Sequence, residues 1–173
     1  MGKVLNGLRL PLLLLSILVV QHTTVGSLSI DNVHPDLLLL FVCAVAVVGG
    51  REAGAVAGFI SGILADSFLI TPFGMSSLVY SFVGYLLGES ERLGSKRSMW
   101  LDMLLIGAGS AVAQIFITAG LFVMGLSDPL RAKFLIEFLI VGGVNFVLAP
   151  VMILLVRFSM AGSDRLTTSV PRR

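Results

Sequence analysis

The residue best suited to chemistry in this chain is Asp66, because a carboxyl group close to the end of an apolar stretch is rare and usually functional. It completes a series with Gly54, Gly58 and Gly62, in which the residues recur at intervals of four. Residues four apart share one face of a helix, so the glycines predict a smooth groove that ends in a carboxyl group. Three roles are then open to Asp66. It caps the turn that follows it, it contacts an ion or substrate, or it anchors neighbouring helices in register.

The glycine face itself has two interpretations. In a membrane, small residues four apart let helix backbones approach closely, because packing and weak polar contacts replace the hydrophobic effect as the driving force. The face of Gly54, Gly58 and Gly62 is therefore either a packing surface within this chain or a docking surface for the helix of a partner.

Two turn segments accompany these residues. Pro72, Phe73 and Gly74 follow Asp66 and form a predicted turn before the next apolar run. Asp36 follows Pro35 at the start of another run, where proline is tolerated in the first helical turn and a carboxylate suits the positive end of the helix dipole. Asp36, Asp66 and the Pro72 to Gly74 turn are the candidate functional polar and turn residues.

The sequence contains few residues that could form a catalytic or cofactor site. The chain has two histidines, His22 and His34, and one cysteine, Cys43, which lies inside an apolar run. A zinc site needs a cluster of such ligands, and a serine nucleophile needs a nearby base, for which the fragment around Ser76 is only a weak motif. We therefore expect a protein that is not an enzyme, with no metal and no cofactor.

Two amide side chains, Gln114 and Asn145, interrupt otherwise apolar runs. An amide in hydrocarbon needs a hydrogen-bonding partner, and neighbouring helices usually provide one. Both residues are therefore predicted to form hydrogen bonds between helices rather than to bind a ligand.

Composition places these residues in a membrane protein. Of the 173 residues, 56% are hydrophobic and 13% are charged, whereas soluble domains contain about 25% charged residues. The basic residues lie at the ends of apolar runs, which does not resemble a nucleic-acid-binding surface. The predicted class is an all-α integral membrane protein, one compact bundle that binds no nucleic acid.

Apolar runs separated by glycine, proline and charges predict about six transmembrane helices. The second to fourth runs are short, since fifteen residues make a helix of only about 22 Å against a hydrocarbon core of about 30 Å. Five spans remain an alternative if the second and third runs are fused, but Gly49 to Glu52 place two charges between them. The predicted spans are 8–28, 36–48, 53–67, 74–88, 99–126 and 132–159.

The distribution of lysine and arginine predicts the orientation, because short loops rich in these residues stay in the cytoplasm. With six spans and a cytoplasmic amino terminus, ten of the twelve basic residues lie on the cytoplasmic side. Only Arg131 and Lys133 lie outside. Both termini are then cytoplasmic, and the polar tail 161–173 is predicted to be disordered.

The segment from Pro35 to Gly88 resembles a known family. An apolar run opened by Pro35 and Asp36, the series from Gly54 to Asp66, the Pro72 to Gly74 turn, Leu78 and the Gly84-Tyr85-Leu86 sequence are similar to the rod shape-determining protein MreD family. Outside this segment the similarity is compositional. The resemblance places the protein in the bacterial cytoplasmic (inner) membrane.

The resemblance implies a non-enzymatic scaffold of the cell-wall elongation complex, which helps to maintain cell shape in peptidoglycan synthesis. MreC is the expected partner, through contacts that include the second to fourth spans and the turn at Phe73, beside MreB, RodA, a class B penicillin-binding protein and the lipid bilayer. The family also resembles the S components of energy-coupling-factor vitamin transporters, which are six-helix bundles with an outward pocket. A small-molecule-binding S component is the alternative function.

Overall fold

The computed structural model describes residues 2–24, 36–68, 73–90, 98–125 and 133–160. These ranges contain no β-strand, and the prediction of an all-α fold is confirmed. They form five helices: α1 (Gly2–Thr24), α2 (Leu37–Phe68), α3 (Met75–Gly88), α4 (Met99–Val123) and α5 (Lys133–Met160). Within these ranges, three stretches are long and apolar enough to cross a membrane, and two shorter apolar helices accompany them. The long stretches are Leu37–Phe68, Met99–Val123 and Phe138–Met160, and the short ones are Arg9–Gln21 and Met75–Gly88.

Helix α2 is broken at Gly50, whose backbone has a non-helical φ of 81°. A straight helix of 32 residues would be about 48 Å long, well beyond the thickness of a bilayer core. Instead, a Cβ atom placed on Gly54 would lie 2.7 Å from the Cβ of Ala46, although eight residues of straight helix span about 12 Å. The chain therefore folds back on itself at Gly50 into two limbs, α2a (37–49) and α2b (51–68). The break lies in the segment where the sequence predicts the boundary between the second and third spans.

Limb α2a is the centre of the fold. Every residue from 38 to 47 is buried, which is the expected position for a helix that is apolar on all sides. It contacts α1 through Leu38, α3 through Val42 and α4 through Cys43. Gly49, at its end, lies against Met160 of α5.

The outer helices pack in antiparallel pairs. Phe82 of α3 contacts Phe116 of α4 edge to face, with ring centroids 5.7 Å apart. Gly107 of α4 lies against Phe146 of α5, where a Cβ atom would be 3.1 Å from the phenylalanine side chain. These contacts place α3, α4 and α5 side by side around the central limb.

The observed helix bounds differ from the predicted spans mainly at the amino terminus, where α1 begins at residue 2 rather than 8. Helices α3, α4 and α5 begin within one residue of the predicted spans. The predicted tail 161–173, Pro72 and His34 lie outside the described residues. We call the end of the bundle that contains Asp36 and Asp66 the aspartate end, and the opposite end, with Arg9, Arg51 and Arg157, the arginine end.

Candidate functional site

The glycine face of α2b lies against α3. A Cβ atom on Gly58 would be 2.4 Å from the backbone oxygen of Tyr80, and one on Gly62 would be 2.2 Å from the Cα of Ser77. Gly54 faces Gly84, and each of these glycines would meet the other's backbone oxygen within 2.5 Å. The two helices therefore pack backbone against backbone along the whole series. The structure leaves no room at these positions even for a methyl group.

Two serine hydroxyl groups join the same helices. The hydroxyl of Ser77 donates a hydrogen bond to the backbone oxygen of Phe59 (3.1 Å), and the hydroxyl of Ser81 donates to the backbone oxygen of Ala55 (3.1 Å). Such bonds are possible because the glycines bring α3 within reach of the α2b backbone. Limb α2b and α3 thus form one tightly bonded helix pair.

Asp66 caps the amino terminus of α3. Its carboxylate accepts hydrogen bonds from the backbone N–H groups of Gly74 (2.8 Å), Ser76 (3.1 Å) and Ser77 (3.3 Å), and the residue is only 5% exposed. The first N–H groups of a helix have no partner within the helix, and they carry the positive end of its dipole. Gly74, at the cap position, has a φ of 97°, which favours glycine. Asp66 therefore caps α3, and because it lies on α2b the same bonds also hold the two helices together. Its contact with an ion or substrate stays a prediction.

Asp36 performs a similar role for α2. Its carboxylate accepts a hydrogen bond from the backbone N–H of Leu39 (3.0 Å), and the hydroxyl of Tyr80 donates to the same carboxylate. The side-chain oxygen of Gln21 in α1 accepts a bond from the N–H of Leu38 (3.0 Å). At the aspartate end, α1, the start of α2 and α3 are therefore joined by hydrogen bonds.

A polar contact in the centre of the bundle joins α4 and α5. The side-chain nitrogen of Asn145 donates a hydrogen bond to the hydroxyl of Ser110 (2.9 Å), and both residues are fully buried. The thiol of Cys43 lies 3.9 Å from the same hydroxyl. The prediction of an interhelical hydrogen bond is confirmed for Asn145, and it stays a prediction for Gln114.

These polar groups serve to position neighbouring segments of the chain. Both aspartates use their oxygens to hold backbone and tyrosine donors, and Cys43 is buried among apolar residues. Among the described residues no group of three histidine, cysteine or acidic side chains could hold a metal ion. In the described part of the site, a ligand would therefore contact a packing surface rather than a set of reactive groups.

The outer side of the α2b–α3 pair forms an apolar groove of about 660 Å³. Several of its residues are large and well exposed, including Phe73 (74%) in the turn before α3 and Leu78 (70%) on α3. The hydroxyls of Ser77 and Ser81 at its floor already donate to backbone oxygens, so the floor is apolar in character. The groove is lined by Ala55, Phe59, Ile63, Phe73, Gly74, Ser77, Leu78, Ser81, Phe82 and Tyr85.

Charged side chains surround the arginine end of this groove. Arg51 pairs with Glu89 (2.9 Å), and its guanidinium group lies over the ring of Tyr85, 5.6 Å from the centroid. Glu52 is exposed on α2b. Further along the same end, Arg157 of α5 lies 3.5 Å from the buried carboxylate of Asp102.

Sequence reasoning found one half of the helix contact and missed the other. It singled out Gly54, Gly58, Gly62 and Asp66 on α2b, and Phe73 and Gly74 in the turn. It did not identify the complementary face of α3, although Ser77 and Ser81, and Gly84 and Gly88, also recur at intervals of four. The same spacing argument, applied to small hydroxyl residues as well as glycine, would have found this face.

A comparison with protein families returns one match across nearly the whole chain. A family model for the rod shape-determining protein MreD matches residues 1–159. No curated protein and no solved structure matches the chain. The matched range includes both capping aspartates, the glycine face and the groove.

Proposed function

The chain belongs to the MreD family of rod shape-determining proteins, and we propose that it acts as a membrane scaffold that binds MreC. The family and the apolar helices together fit a multi-pass protein of the bacterial inner membrane with a role in the determination of rod shape. The scaffold assignment specifies how that role is performed, by holding a partner protein rather than by catalysis.

The observation that carries this proposal is the groove on the α2b–α3 pair. Exposed apolar surface is ordinary for a helix in lipid, but a concave surface on two rigidly joined helices is the form that receives another helix. The capping aspartates and the backbone contact hold the two walls of the groove in place without help from the exposed aromatic side chains. This arrangement favours binding through α2, α3 and the turn at Phe73.

The proposed topology has six spans with both termini in the cytoplasm. It counts α2a and α2b as separate spans, since the break at Gly50 returns the chain toward the aspartate end. The arginine end is then cytoplasmic, in agreement with the ten basic residues assigned to that side. MreB, RodA and the class B penicillin-binding protein are further proposed members of the same assembly.

Co-purification with MreC tests the proposal. The tagged chain is co-expressed with MreC, extracted in a mild detergent and purified, and the amount of MreC retained per chain is measured. We expect stoichiometric retention, and we expect the same gene to restore rod shape to cells depleted of their own MreD protein. Restoration of rod shape without retention of MreC would contradict the MreC assignment, and loss of both would contradict the scaffold proposal as a whole.

A further inference from the structure

The groove has a charged extension at its arginine end. On α2b, the groove residues Ala55, Phe59 and Ile63 follow one another at intervals of four, and Glu52 lies one turn before Ala55 on the same side of the helix. Glu52 is exposed, and it forms no ion pair with another residue in the described part of the chain. An occupant that follows the groove toward this end therefore meets a carboxylate.

Three charged side chains of the described residues lie next to this end of the groove, namely Arg51, Glu52 and Glu89. Arg51 is already engaged by Glu89 and by the ring of Tyr85. A cationic group on the occupant can therefore pair with the carboxylate of Glu52.

The interior of the groove determines which kind of surface the remainder of the occupant must have. Its floor hydroxyls are bonded to backbone oxygens and its walls are aromatic or aliphatic, so it favours an apolar surface. From Phe73 to Tyr85 the groove is about 18 Å long at 1.5 Å per residue, enough for several turns of a helix. An apolar helix with a basic residue at one end is typical of a transmembrane helix, because lysine and arginine concentrate at the cytoplasmic ends of such helices.

We propose that the α2b–α3 groove docks one transmembrane helix of the partner protein, and that Glu52 pairs with a lysine or arginine at the cytoplasmic end of that helix. This rests on the proposed function, in which the arginine end is cytoplasmic and the partner is MreC. The apolar walls provide most of the affinity. The charge pair at Glu52 sets the direction and register of the bound helix, since exposed ion pairs change affinity by only about two- to fivefold.

Site-specific photo-crosslinking and co-purification test the docking site in cells that co-express the full chain and MreC. A photoreactive residue replaces Leu78 in the groove, and the matched control replaces Val147 on α5, which is similarly exposed (70% and 66%). Retention of MreC is then measured for Ala55→Trp, which fills the groove, against Val147→Trp. Leu78→Ala is included because truncation of an exposed side chain does not disturb the core.

We expect crosslinks to MreC from position 78 and none from position 147. We expect Ala55→Trp to lower MreC retention by about tenfold, the size of an ordinary overpacking penalty, while Val147→Trp retains it. Glu52→Lys should weaken retention by about two- to fivefold, and a Lys or Arg to Glu change at the cytoplasmic end of the MreC helix should restore it in that variant.

Equal crosslinking from both positions, or crosslinks from position 78 only to lipid or to a second copy of this chain, would overturn the docking site. Equal retention of MreC by Ala55→Trp, Leu78→Ala and Val147→Trp would overturn it while leaving the scaffold proposal intact. Failure of the unsubstituted chain to retain MreC would overturn the proposed function, and this assignment with it.

Discussion

Replacement of Gly58 by alanine adds one methyl group at the centre of the α2b–α3 contact. That methyl group would lie 2.4 Å from the backbone oxygen and 2.5 Å from the backbone carbon of Tyr80. Neighbouring heavy atoms essentially never approach a Cβ atom within 3.0 Å. The helices must therefore move apart by at least 0.6 Å, the difference between 3.0 Å and the 2.4 Å contact with the backbone oxygen of Tyr80. Because the obstructing atoms belong to a helix backbone, no side-chain rotation relieves the contact.

The cost follows from what this movement disturbs. The hydrogen bonds from Ser77 to Phe59 and from Ser81 to Ala55 are both 3.1 Å long and flank Gly58, so a separation of 0.6 Å stretches them beyond normal length. Overpacking of a core costs about 1 to 3 kcal/mol, and each lost interhelical hydrogen bond in a membrane adds about 0.6 kcal/mol. We expect Gly58→Ala to lower the free energy of unfolding by about 2 to 4 kcal/mol.

Reversible unfolding of the purified protein by sodium dodecyl sulfate in mixed micelles, followed by far-ultraviolet circular dichroism, measures this free energy. The matched control is Gly143→Ala on α5, where an added Cβ atom meets nothing within 4 Å. We expect this control to be neutral or slightly stabilising, because alanine is the better helix former by up to about 1 kcal/mol. Equal unfolding free energies for the two variants would refute the close packing of α2b on α3.

Three further predictions concern the aspartate end and the topology. Asp66→Ala should lower the unfolding free energy by about 2 kcal/mol, since three N–H groups lose their acceptor, and Asp66→Asn should lower it by about half as much. The same assay measures both variants, and an effect of Asp66→Ala no larger than that of Ser67→Ala would contradict the cap. Tyr80→Phe should cost about 1 kcal/mol through loss of the bond to Asp36, and an unchanged midpoint would contradict that bond. In a Cys43→Ser background, a cysteine at Ser95 should resist impermeant thiol reagents added outside the cell, and labelling there would contradict the six-span topology.

The sequence predicted those features that depend on local spacing. The intervals of four from Gly54 to Asp66 correctly indicated a smooth helix face, and the paired glycines before Arg51 lie where α2 breaks. The position of Asp66 before a turn allowed a capping role, and Asn145 was correctly expected to bond across helices. Each of these inferences needs only the geometry of one helix and the cost of an unpaired polar group in lipid.

The arrangement of the helices could not be predicted in the same way. Limb α2a is apolar on all sides and the other helices are predominantly apolar, so no polar face distinguishes the central limb from the helices that surround it. The bond from Tyr80 to Asp36 joins residues 44 positions apart, and nothing in their spacing pairs them. In a membrane, the identity of neighbouring helices depends on detailed complementarity, here small residues on α2b facing small residues on α3.

The structure separates the residues that stabilise the α2b–α3 pair from the residues that the pair exposes. Its stability comes from the inner side, where Gly58 contacts the α3 backbone and Asp66 caps the helix. On the outer side, Phe59 and Leu78 are more than half exposed and are not needed for those contacts. A change on the inner side should therefore impair folding and partner binding together, whereas Phe59→Ala or Leu78→Ala should impair binding at unchanged stability. Under the proposed function, the exposed groove residues can therefore change while the α2b–α3 contact that supports them stays intact.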